Sequence, residues 1–230
     1  MMSSLLTSLL GLTLGMRHAL EPDHLAAVST LATEQKSARA GLWLGALWGV
    51  GHSLSLLIVG GGLALLEAQM PERLGLIFEL LVAAMILGLG VRAMLRSLRE
   101  GRAGVWLTHR HGETTHSHSM PGAHLHVRSF TFATRPLIIG VVHGLAGSGA
   151  LTALVLAELP SISARLLYIV IFGAGSIAGM ALLTGLAGLP LRRVARSPRL
   201  ASMLLGVTGC ASSLVGLWWG LDSGARLLAG

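Results

Sequence analysis

Arg17-His18-Ala19-Leu20-Glu21-Pro22-Asp23-His24 puts five ionisable side chains into a run that is otherwise apolar enough to enter a bilayer. Upstream, residues 3–16 are nearly all Leu, Gly, Thr and Ser, and downstream residues 25–32 are apolar again. A charged group at the bilayer centre costs about 2.5 to 3.5 kcal/mol on insertion scales, so several together must face a cavity, a partner or a bound ion. Pro22 removes one backbone donor and its ring clashes with the preceding turn, so the helix should kink or open there. On an unbroken helix, at about 100° per residue, His18 and Asp23 would point roughly 140° apart. A break at Pro22 lets them converge. Imidazole suits nickel, cobalt, copper and zinc, and a carboxylate adds negative charge. The stretch reads as a metal site at membrane depth, against the plainer reading of a polar cluster that staples helices.

Composition agrees with a membrane setting. The chain has 230 residues, 53% hydrophobic and only 12% charged, with a mean hydropathy of +0.72, which points to an all-α polytopic membrane protein. The single cysteine, Cys210, rules out an internal disulfide and a thiolate metal cluster. A net charge of +7 would suggest nucleic acid in a soluble protein, but the basic residues concentrate between apolar runs, where they set orientation in a membrane. No nucleic-acid partner is expected. The N-terminus lacks a positive leader region and a small-residue cleavage site, so the first helix is expected to be retained.

Six apolar spans can be drawn, at 3–31, 41–66, 74–95, 136–156, 166–189 and 200–221, each near the length needed to cross. Lys36 and Arg39 follow the first, Arg96 to Arg128 follow the third, and Arg192, Arg193, Arg196 and Arg199 follow the fifth. The odd connections are therefore placed in the cytoplasm and both termini outside. An internal repeat runs through these spans. Gly15-Met16-Arg17-His18-Ala19-Leu20 aligns with Gly140-Val141-Val142-His143-Gly144-Leu145, and Trp48-Gly49-Val50-Gly51-His52 with Phe172-Gly173-Ala174-Gly175-Ser176. Three spans per half is an odd number, so the second half must enter from the opposite face. Inverted repeats around a midplane site are a common build of secondary transporters. The expected organisation is residues 1–98 as a first three-helix repeat carrying the metal motif, 99–135 as a cytoplasmic His-rich loop, and 136–230 as a second three-helix repeat. The alternative is a chance alignment of Gly-rich apolar helices.

The 99–135 connection carries His109, His111, His116, His118, His124 and His126 as three His-x-His pairs. Alternate histidines can chelate one ion in an extended chain, so the tract reads as a labile metal-collecting loop, expected to be mobile; the bland reading is a solvated linker. Within the spans, His52 in Gly51-His52-Ser53 is either a ligand or a satisfied core histidine. His143, the repeat partner of His18, and Ser148, which follows it with Gly147, are candidates for supporting or path roles, or for close helix packing. Arg17, Glu21, Ser53 and Glu79 are candidates for supporting or path roles, and Glu158 is a weaker one.

His18-x4-Asp23-His24 followed by Gly51-His52-Ser53 resembles the motif pair of the nickel/cobalt transporter family, in particular its short branch associated with urease and hydrogenase. The resemblance covers the apolar spans of the whole chain. It implies a multi-pass permease of the bacterial cytoplasmic membrane that takes up or exports Ni2+ or Co2+ as its substrate, with no cofactor, and with His18, Asp23, His24 and His52 as the residues that handle the ion. It also implies urease or hydrogenase maturation proteins as partners. The His-rich connection is similar to loops of the efflux branch, so direction stays open. A membrane-bound accessory protein that holds nickel without moving it is a further alternative. His-x4-Asp also occurs as the catalytic pair of glycerolipid acyltransferases, but the further motifs of those enzymes are absent, as are a His-Glu-x-x-His zinc motif and a Walker A loop. No enzymatic activity is expected.

Overall fold

The computed structural model describes residues 2–32, 37–102, 107–111, 114–118, 130–194 and 197–229. The first expected span is two helices, α1 (Met2–His18) and α2 (Pro22–Ala32). The chain between them turns sharply: the Leu20 and Glu21 N–H groups donate to the Arg17 and His18 carbonyls at 2.8 and 3.1 Å, and Pro22 opens α2, where its missing N–H leaves nothing unpaired. Next come α3 (Ala38–Ser55), a π-helical segment (Leu56–Gly60) and α4 (Gly61–Leu65), which together form one continuous rod, then α5 (Glu72–Arg102). The Ser37 hydroxyl caps α3 by accepting from the Ala40 N–H at 3.0 Å. The second half holds α6 (Phe130–Glu158), α7 (Ile162–Val194) and α8 (Pro198–Ala229).

Among the described residues four helical stretches are long and apolar enough to cross a bilayer: Ala38–Leu65, Glu72–Arg99, Ile162–Ala187 and Arg199–Ala229. Large apolar side chains such as Ile58, Leu186, Val207 and Trp218 stand exposed on the outside, as a lipid-facing surface requires. Several helices run past the apolar spans drawn from sequence. α7 has 33 residues, about 50 Å at 1.5 Å per residue against a hydrocarbon core of about 30 Å, so its polar ends continue as helix outside the core. For the same reason α5 and α6 extend into both edges of the expected 99–135 loop. Between them an antiparallel hairpin pairs β1 (Leu107–His111) with β2 (Thr114–His118), setting His109 opposite His116. His124 and His126 lie outside the described residues.

Small residues decide how the helices meet. A Cβ added at Gly15 of α1 would strike the Phe172 carbonyl of α7, and one at Gly140 of α6 would strike the Trp48 carbonyl of α3. A Cβ at Gly51 would strike the Leu137 carbonyl, and one at Gly175 the Leu12 carbonyl. Each contact therefore recurs between partners shifted by 124 or 125 positions. Where α5 meets α8, Gly90 abuts Gly209 and Ser213 while Gly216 abuts Ala83 and Leu87, the same relation at a shift of 126. Residue order along these contacts makes α1 parallel to α7 and α3 parallel to α6, while α3 is antiparallel to α7 and α5 to α8. Hydroxyls add cross-links: Ser53 donates to the Gly173 carbonyl at 3.0 Å, Ser55 to Val141 at 2.6 Å and Ser212 to Ala26 at 2.9 Å.

Candidate metal site

The turn at Ala19–Glu21 ends α1 on His18 and starts α2 with Asp23 and His24 in its first turn, so all three face the centre of the bundle. Small residues on α3 and α6 let those helices come close enough to add His52 and His143. His18 Nε2 and His52 Nε2 lie 3.1 Å apart. The Asp23 carboxylate spans two imidazoles, with Oδ1 3.0 Å from His24 Nδ1 and Oδ2 2.7 Å from His143 Nε2. Glu21 Oε1 lies 2.9 Å from His18 Nδ1, which turns the Nε2 of that ring inward, as second-layer carboxylates do for metal-bound histidines.

The rings crowd together at tilted and edge-on angles. Centroids of His24 and His143 are 4.1 Å apart, those of His18 and His24 4.5 Å, and those of His18 and His52 5.0 Å. Trp48 stacks on His24 at 5.4 Å, and Phe172 packs on His18 at 5.4 Å. His24, His52 and His143 are 2% exposed or less. Yet His24 Nε2, His52 Nδ1 and His143 Nδ1 have no hydrogen-bond partner among the described residues. A buried imidazole nitrogen without a partner costs on the order of 1–3 kcal/mol, and three in one cluster is a pattern that a cation would relieve. His18, His24 and His52 form one group of converging ligand atoms; Asp23, His24 and His143 form another. Nitrogen and carboxylate oxygen with no sulfur is a donor set that suits nickel, copper or cobalt.

The sequence motifs His18, Asp23, His24 and His52 thus converge. His143, expected in a supporting or path role, is part of the cluster and lies 2.7 Å from Asp23; its alignment with His18 in the sequence was the available signal. Trp48 and Phe172, which flank the rings, were visible only as aligned positions. Arg17 and Glu21 line a cavity of about 650 Å³ that reaches His18. Ser53 serves the α3–α7 contact. Glu79 is not brought to the cluster: it accepts from Ser223 and Arg226 at 2.7 Å, tying α5 to α8. Glu158 is exposed at the end of α6. The side chain of Ser148 lies outside the described set, as do those of the loop histidines.

A family model described as NicO, high-affinity nickel-transport protein, matches residues 4–193. Among curated proteins, the urease accessory protein UreH of Bacillus sp. (strain TB-90) is 35% identical over 214 residues, covering 90% of this chain and 87% of that protein. No solved structure matches the chain.

Proposed function

Because the chain belongs to the NicO family of high-affinity nickel-transport proteins, transporters rather than enzymes, we propose that it carries Ni2+ into the cell through the His/Asp cluster at the centre of the bundle. The observation that carries this reading is the convergence of four buried or half-buried imidazoles and one carboxylate into two groups of ligand atoms in an otherwise apolar interior. His18, Asp23, His24 and His52, joined by His143, strip the ion of water and hold it. Co2+ is the expected competitor, since the same donors accept it.

The transporter is built as six spans in two inverted three-helix repeats, in the bacterial cytoplasmic membrane. Support comes from the glycine contacts that recur at shifts of 124 to 126 and from helix directions that make α1 antiparallel to α6. Phe172 lies 5.4 Å from His18 and Trp48 lies 5.6 Å from His143, again the same pair after the repeat shift. The cavity is lined by Leu14, His18, Leu56, Tyr168 and Phe172 among others. Tyr168 is near the start of α7, so the cavity opens toward the face bearing the α6–α7 connection, the face poorer in Arg and Lys. The repeat counterparts of that wall on the other side are Ile139, Met180, Leu44 and Trp48, which are packed into one buried cluster. Alternating access then means closing the first wall and parting the second. A membrane potential negative inside favours entry of a dication by about 4.6 kcal/mol per 100 mV, twice the single-charge value.

The UreH relative is named a urease accessory protein, so the imported nickel is proposed to serve urease or another nickel enzyme such as hydrogenase. The loop histidines collect ions on the cytoplasmic side. Flux of 63Ni2+ into proteoliposomes tests the reading. Intact protein should move Ni2+ down its gradient, and His52→Ala should abolish it. Binding without flux would leave the accessory role, and flux driven only outward would leave efflux.

A further inference from the structure

We propose that the cluster holds the ion in two successive positions that share His24: an outer one of His18, His24 and His52, and an inner one of Asp23, His24 and His143. This deepens the reading of the protein as a Ni2+ carrier and rests on it. Two imidazoles on one ion, each about 2.0–2.1 Å from it, cannot have ligand atoms more than about 4.2 Å apart. Within each group the ligand atoms lie within 4.8 Å of one another, so a small closure suffices, and the two groups have only His24 in common. His52 and His143 belong to different groups, so the five donors are not all within mutual reach of a single ion, and the ion is held by one group at a time.

His24 is equipped for both positions. Its Nδ1 lies 3.0 Å from Asp23 Oδ1, while its Nε2 is buried without a partner. An ion that leaves Nε2 together with His18 and His52 is taken up at Nδ1 together with Asp23 and His143, inside the buried cluster and away from bulk water. The order follows from the surroundings. Of the five residues His18 alone lines the cavity, so the outer group receives the ion. His143 packs on Trp48 at 5.6 Å, and Trp48 belongs to the cluster that seals the opposite side, so the inner group stands next to the exit. The inner group also holds the carboxylate, whose charge draws the dication forward. Because the two positions share His24, the scheme predicts one Ni2+ bound per chain.

The test compares wild type, His18→Gln, His143→Gln and the double variant, as the purified full chain, by equilibrium dialysis with 63Ni2+ and by flux in proteoliposomes. X-ray absorption on the wild type counts the imidazoles around the bound nickel. Each single variant should keep Ni2+ binding within about tenfold of wild type while flux falls by about tenfold or more, because one position survives and the hand-over does not. The double variant should lose binding, and the wild-type ion should carry three protein ligands from one group. Loss of binding in either single variant, unchanged flux in His143→Gln, or four imidazoles on one wild-type ion would overturn the two-position scheme while leaving the carrier intact. The imidazole count needs no variant to fold. A wild-type chain that neither binds nor moves Ni2+ would overturn the carrier reading and this one with it.

Discussion

Asp23 is the hinge of the site at the residue scale. One carboxylate meets two imidazoles from different halves of the chain, His24 at 3.0 Å and His143 at 2.7 Å. In doing so it fixes the orientation of both rings. Asp23→Asn keeps the size and removes the charge, and its NH2 can donate but no longer accept at that oxygen. Ni2+ binding should stay within about tenfold of wild type, because the His18, His24 and His52 group survives, while flux falls by about tenfold or more, with helix content by circular dichroism unchanged. Unchanged flux would show that the carboxylate only packs. Because imidazole binds metal in its neutral form, protons compete with nickel for these rings. Lowering the pH should therefore weaken 63Ni2+ binding, which equilibrium dialysis across a pH series reads.

Glycine placement governs the next scale, that of helices in contact. Gly15 and Gly140 occupy equivalent places, one against the Phe172 carbonyl and the other against the Trp48 carbonyl, and neither has space for a Cβ. Overpacking of this kind costs about 1–3 kcal/mol or more, so Gly15→Val and Gly140→Val should each lower the thermal midpoint of the detergent-solubilised protein clearly. Gly88→Ala is the control, because nothing lies within 4 Å of a Cβ there; replacing a helical Gly should be neutral or stabilising by about 0.5–1 kcal/mol. Equal tolerance of all three would mean the close approaches carry no weight. The like sequence contexts of these two glycines were readable in the chain, and so was the break before Pro22, since charge and proline within an apolar run leave few alternatives. The π segment at Leu56–Gly60 was not. It inserts one residue per turn without changing the apolar pattern, and its partners, such as the Val141 carbonyl that takes the Ser55 hydroxyl at 2.6 Å, come from the other half of the chain. His143 looked like a path residue because its bond to Asp23 spans 120 positions, a distance no local pattern reports.

Across the whole molecule, the two halves differ in what they leave open. Leu14 stands on the cavity wall, while its counterpart Ile139 is buried in the sealing cluster at 8% exposure. If the halves exchange roles during transport, the residue that is shielded now must become reachable from the cytoplasm when Leu14 is covered. The exposed Cys210 is first replaced by Ser, giving a background without thiols, and Leu14→Cys and Ile139→Cys are then introduced separately. A membrane-impermeant maleimide added outside should label Leu14→Cys in the absence of metal, and saturating Ni2+ should slow that labelling. Ile139→Cys should resist reagent from both sides until Ni2+ is present, and then react only from the cytoplasmic side. The repeat demands opposite responses from the paired positions, because one rigid-body movement that opens the second wall closes the first. Parallel responses at the two positions, or labelling of Ile139→Cys from outside, would mean that the cavity is a fixed vestibule and that the ion leaves by a route the repeat does not describe.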